Sequence, residues 1–105
     1  MKSRTKNMPE TMYRASRYFR VLGNPTAYMI LRTLEHDRKT PGELSEELGK
    51  SLETISITLR HLRQINMVRY QAKGRTKEYW IKDKGVLELL NKSEELVERM
   101  RKKRK

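Results

Sequence analysis

Ser51 to Gln64 reads SLETISITLRHLRQ. Ile55, Leu59 and Leu62 recur at helical spacing, so the stretch predicts one amphipathic helix with a narrow apolar stripe. Glu53, Ile57, Arg60 and Gln64 fall on the opposite face. An acid, an apolar side chain, a base and an amide make an odd surface for plain solvation. The same mixture suits the reading of base edges in a DNA groove. The flanking sequence decides whether a scaffold exists to present that face.

On the N-terminal side, Thr40-Pro41-Gly42-Glu43 is a capping box with proline at the first helical position. A short helix follows, with Leu44 and Leu48 inward, and ends at Gly49. Ser51 then caps the next helix. Two short helices joined by a tight glycine-containing turn are the helix-turn-helix signature. Further back, His36 to Lys39 is a charged loop. The helix before it starts at Pro25 behind the N-cap Asn24, runs to about Glu35, and buries Ala27, Ile30, Leu31 and Leu34. The first helix spans Met8 to Leu22, with Pro9 in its first turn and Gly23 as its stop. Met12, Ala15, Ser16, Phe19 and Leu22 share one of its faces.

After Met67 the period changes from helical to alternating. Val68, Tyr70 and Ala72 alternate with Arg69 and Gln71, and Tyr79 and Ile81 repeat the pattern beyond Lys73-Gly74-Arg75-Thr76. That is a β-hairpin with glycine in its tip. Directly after a helix-turn-helix, a hairpin carrying Lys73, Arg75 and Lys77 is a wing. Tyr70 and Tyr79 are expected in the core. Trp80 faces the other way, toward the last helix or a dimer seam. Asp83 caps that last helix, whose stripe is Val86, Leu89, Leu90, Leu96, Val97 and Met100, interrupted by Ser93. Arg101 to Lys105 reads as a disordered basic tail. The chain thus divides into a basic arm at 1–7, one domain at 8–100 and a tail at 101–105. The fold class is mainly α with a small β-hairpin.

The 105 residues suit one small domain, for which oligomerisation is a route to extra burial. Lys and Arg number 25 against 13 acids, a formal charge of +12. That balance calls for an anionic partner. There is no cysteine, which excludes disulfides and thiolate metal sites. No apolar run approaches a membrane span and MKSRTK lacks the apolar core of a secretory signal, so the expected location is cytoplasmic, associated with the nucleoid.

Helix, helix, helix-turn-helix, hairpin, helix is an order that resembles the winged-helix repressors of the arsenical-resistance-repressor (ArsR/SmtB) family. The resemblance rests on RVLGNPT at Arg20 to Thr26, ILRTL at Ile30 to Leu34, TPGELSEELG at Thr40 to Gly49, Thr54-Ile55-Ser56, and LRHLR at Leu59 to Arg63. It covers about residues 18–82. It implies a homodimer packed through the first and last helices, with one recognition helix per subunit in a major groove. Many members carry histidine where this chain has Thr58, and glycine where it has Asn66. The first departure bears on the DNA-reading face; the second is mild, since asparagine tolerates a left-handed backbone. The family's metal sites need cysteines in the first helix of the motif, or paired histidines and acids on the last helix. This chain has only His36 and His61, in a loop and on the recognition helix, so no metal and no cofactor is expected.

The residues expected at DNA are Thr40, Ser51, Glu53, Thr54, Ser56, Ile57, Arg60 and Gln64, with Lys73, Arg75 and Lys77 of the wing. Arg60 is placed for guanine and Ile57 for a thymine methyl; the bland alternatives are a phosphate contact and a scattered surface residue. Glu53 could accept from a cytosine amine or simply complement the helix dipole. The residues expected at the dimer seam are Met12, Ser16, Phe19, Val86, Leu89, Leu90, Val97 and Met100. No carboxylate pair, nucleophile-base set or phosphate loop supports an enzyme. The reading is a dimeric, sequence-specific transcriptional repressor of double-stranded DNA acting at a pseudo-palindromic promoter site, its effector unknown. The competing readings are a nonspecific or architectural nucleic-acid binder, RNA included, and a protein-interaction module.

Overall fold

Seven elements follow in the order the periodicity predicts. The computed structural model describes residues 6–103; the expectations for residues 1–5 and 104–105 lie outside the described residues. Helix α1 spans Glu10–Leu22, α2 Pro25–Thr33, α3 Pro41–Leu48 and α4 Leu52–Gln64. Strands β1 (Val68–Lys73) and β2 (Thr76–Ile81) pair antiparallel, and α5 runs Gly85–Lys103.

Side chains set most helix starts. Asn24 Oδ1 accepts the N–H groups of Thr26 at 2.8 Å and Ala27 at 3.1 Å, opening α2. Thr40 Oγ1 accepts from Glu43 N–H at 3.2 Å while the Glu43 carboxylate accepts from Thr40 N–H at 2.8 Å, closing the capping box of α3. The hydrogen bond from Thr40 N–H holds the Glu43 carboxyl below its ordinary range. Ser51 Oγ accepts from Thr54 N–H at 3.0 Å at the start of α4. Each such cap stabilises by about 1 kcal/mol. Gly49 ends α3 in the left-handed conformation, φ 65°, which costs glycine nothing.

Three boundaries differ from expectation. Pro9 precedes α1 with an extended ψ of 149°, and its carbonyl accepts from Tyr13 N–H at 3.0 Å. Helix α2 stops at Thr33, because Glu35 N–H bonds Arg32 O at 3.2 Å in a tightened turn. Arg101, Lys102 and Lys103, expected in a disordered tail, are the last turn of α5. Straight-chain cations are good helix formers, and their charge is favourable at the negative end of the helix dipole.

Every helix and the hairpin contribute to one core of Leu22, Ala27, Ile30, Leu31, Leu34, Leu44, Ile55, Leu59, Leu62, Ile65, Met67, Val68, Tyr79 and Leu90. Leu90 was expected at a dimer seam; at 1% exposure it belongs to the core of its own chain. Val86 and Leu89 flank it, half-buried. Tyr70, expected in the core, is 36% exposed. Only Val68 of β1 is buried. Trp80 is half-buried, and the Arg38 guanidinium stacks 3.9 Å from its ring centre. The α2–α3 loop also bonds β2, through Lys39 N–H to Tyr79 O at 3.1 Å and Tyr79 N–H to Lys39 O at 2.8 Å. These contacts fix the base of the hairpin.

A polar clamp joins α2 to α5. Glu94 Oε2 accepts from Tyr28 Oη at 2.6 Å and from Arg32 Nη2 at 2.8 Å, while Arg32 Nη2 also donates to Asn91 Oδ1 at 2.8 Å. Hydrogen bonds from Tyr28 and then Arg32 hold the Glu94 carboxyl below its ordinary value. Burial, then the Glu94 carboxylate, pushes the Tyr28 phenol up.

Candidate nucleic-acid interface

Ile55, Leu59 and Leu62 are fully buried, and they fix how α4 is rolled on the body. The helix therefore turns Glu53, Ser56, Ile57, Arg60 and Gln64 to solvent. Ile57 is 42% exposed, an apolar side chain held outward on an otherwise polar ridge. Leu52, in the first turn, is 54% exposed although it continues the spacing of Ile55 and Leu59; the sequence reading did not mark it. Ser51 and Thr54 are engaged with each other, Ser51 Oγ donating to Thr54 Oγ1 at 2.9 Å. Thr40 is half-buried in its capping box. Glu53 lies in the first turn of α4, where a carboxylate complements the helix dipole.

Thr58 is not part of this face. It is buried, and its hydroxyl donates to Thr54 O at 2.8 Å. Its replacement of the family histidine therefore acts on the flank toward α1 and α2. His61 is exposed on the same flank.

The wing stands beside α4. Register pairs Lys73 with Thr76 across the Gly74-Arg75 tip, where Gly74 has φ 61°. Lys73 bonds Glu78 at 3.2 Å along the hairpin. Lys77 lies 4.6 Å from the centre of the Tyr70 ring, and Arg63 of α4 lies 5.4 Å from the same ring. Tyr70 is thus a bridge between helix and wing that keeps two cations at the junction. The sequence marked Tyr70 as apolar and did not mark Arg63. Arg75 is exposed at the tip.

A cleft separates the C-terminal half of α4 from α1. One part, of about 340 Å³, has Arg17, Arg20, Thr58, His61 and Gln64 in its lining. It adjoins a second of about 270 Å³ that adds Arg14 and Arg63. Gln64, expected in the groove, sits at the mouth of this cleft. The cleft was not legible in the sequence, because it forms between helices that no local pattern pairs.

The seam residues divide. Met12, Phe19, Val97 and Met100 are each more than half exposed, and Leu96 nearly so, an apolar surface on α1 and α5. Ser16 is exposed, its hydroxyl bonding Tyr13 O at 2.6 Å.

The family model described as a helix-turn-helix domain matches residues 22–71. An uncharacterized helix-turn-helix-type transcriptional regulator of Methanocaldococcus jannaschii is 32% identical over 88 residues, covering 83% of this chain and 99% of that protein. The crystal structure of Rv0081 from M. tuberculosis superposes with a TM-score of 0.82 at 23% identity, over 92% of this chain and 98% of the other. The homodimeric winged helix-turn-helix DNA-binding domain of Mb0332 from Mycobacterium bovis, a possible ArsR-family regulator, superposes with a TM-score of 0.78 at 19% identity, over 93% and 91% of the two chains.

Proposed function

This chain belongs to the helix-turn-helix transcriptional regulators and has the winged-helix fold, and from that premise we propose a dimeric repressor that occupies a pseudo-palindromic promoter site. The observation that carries the reading is the roll of α4. Three fully buried side chains point its mixed face, with Ser56, Ile57 and Arg60, away from the body. Side chains on such a helix select bases, while the wing cations Lys73, Arg75 and Lys77 bind phosphates and set position.

Dimerisation is supported by the uncovered apolar surface of Met12, Phe19, Leu96, Val97 and Met100, and by the fold shared with the homodimeric Mb0332 domain. A two-fold pair of recognition helices requires half-sites about 10 bp or a multiple apart. A metal effector does not fit the donor set: the chain has no cysteine, and among the described residues no three His, Asp or Glu side chains converge on one point. Repression would then be a matter of occupying the promoter, with relief by a small ligand or a partner protein.

Selection of bound sites from a random duplex library tests the proposal. The expected result is a symmetric consensus with that spacing, at a specificity ratio above about 10³ at physiological salt. An unordered pool, bound no better than unrelated duplex or RNA, would instead establish a nonspecific binder. The charge of +12 favours that second reading more than any other observation does.

A further inference from the structure

Apart from Gln64 at its edge, the cleft between α1 and α4 is used by neither the reading face nor the apolar surface. Arg14, Arg17 and Arg20 line it from α1, one residue in three, and His61, Arg63 and Gln64 line it from α4. No Asp or Glu lines either part. Arg14 is bonded to Glu10 at 2.8 Å. Arg17, Arg20 and Arg63 have no acidic partner among the described residues. Guanidinium groups gathered without counter-charge create a positive potential that an anion relieves.

The shape narrows the choice of anion. Arg17, Arg20, Arg63 and Gln64 are all exposed, so the cleft is an open trough. A small-molecule site buries most of its ligand, whereas a phosphodiester strand lies in an open basic groove. The trough also meets the reading ridge of α4 at Gln64. On α1, at about 100° per residue, Arg17 lies about 140–160° around the helix from Met12 and Phe19, and Arg20 about 80–100°, so a second copy seated on the apolar strip leaves Arg17 uncovered and borders Arg20.

We propose that this trough seats the sugar-phosphate strand bordering the groove read by α4, with Arg17 and Arg20 each neutralising a phosphate. The DNA-binding surface then runs from the wing across α4 onto the first helix. The inference rests on the DNA-binding reading above and adds α1 to it.

The test is fluorescence anisotropy of the full chain on a selected duplex and on an unrelated one, over a salt series. Wild type is compared with Arg17→Gln/Arg20→Gln and with Arg17→Lys/Arg20→Lys. Two lost phosphate contacts make the slope of log K against log salt shallower by about 1.8 per protomer. Between about 50 and 200 mM salt that is a roughly 12-fold smaller loss of affinity per protomer. The change appears equally on both duplexes, and the lysine variant recovers it, which a packing role would not produce. An unchanged slope in a folded glutamine variant, with wild type still selecting its site, overturns the proposal and leaves the repressor reading intact. Wild type that binds no duplex overturns both. Saturable binding of inorganic phosphate that is lost in the glutamine variant, with the duplex slope unchanged, assigns the trough to a small anion and also overturns the proposal.

Discussion

Asn66 controls how the wing leaves the recognition helix. It follows the end of α4 with φ 70°. Its N–H bonds Arg63 O at 2.9 Å and the next N–H, of Met67, bonds Leu62 O at 2.9 Å. This double closure is a Schellman motif, which needs a left-handed residue at the position of Asn66. Met67 and Val68, immediately after it, are buried at 1% exposure each, so the turn cannot relax without moving core side chains. A residue with a Cβ and no local polar compensation is about 1–2 kcal/mol less favourable in this conformation, and asparagine recovers part of that. Asn66→Ala should therefore destabilise by about 1 kcal/mol, lowering Tm by about 4–8 °C for a domain of this size. Asn66→Gly removes the strain entirely but frees the unfolded chain at a cost of about 0.4–1 kcal/mol, so the two effects nearly cancel. The expected order is glycine close to asparagine, with alanine clearly below both. Circular dichroism melts at one fixed protein concentration measure it, since the proposed dimerisation would make Tm depend on concentration. An alanine variant as stable as wild type would refute the reasoning, for it would mean that the left-handed turn carries no strain.

Four further outcomes follow from the same geometry. Arg60→Ala should cost roughly 1–3 kcal/mol on a selected site and relax preference at one base pair, whereas Arg75→Ala should weaken all duplexes alike; equal losses on selected and random DNA for Arg60→Ala would remove it from base reading. Leu59→Ala, at a fully buried position, should lose about 2–5 kcal/mol in denaturant unfolding, and a loss under 1 kcal/mol would contradict its place in the core. Phe19→Glu combined with Val97→Glu should shift sedimentation toward a monomer, because both side chains are more than half exposed on the apolar surface; an unaltered dimer would place the seam elsewhere. The Glu94 carboxyl titrates below its ordinary value of 4.5 in the folded chain, so its clamp stabilises above that pH and is lost as pH falls through the folded value. Glu94→Gln should flatten the acid limb of the stability curve, and an acid limb identical to wild type would exclude the clamp as its cause.

Local chemistry was legible in the chain itself. The caps at Asn24, Thr40 and Ser51, the stop at Gly49 and the switch from helical to alternating period after Met67 all depend on residues within a few positions of one another. They determined the order of elements, the helix-turn-helix and the outward face of α4. A period identifies which side of a helix is buried, and that is where it ends, because it does not identify the neighbour. Leu90 and Met100 share one stripe of α5, yet Leu90 is buried against its own chain and Met100 is exposed. Tyr70 and Tyr79 alternate alike, but only Tyr79 has a body beneath it. Tyr28 and Arg32 meet Glu94 across more than 60 residues. The arginines of α1 line one cleft with His61, Arg63 and Gln64 only because packing brings them beside α4. Those facts belong to the tertiary structure, since each depends on which surfaces pack together, and distant pairings leave no short-range pattern in a single sequence.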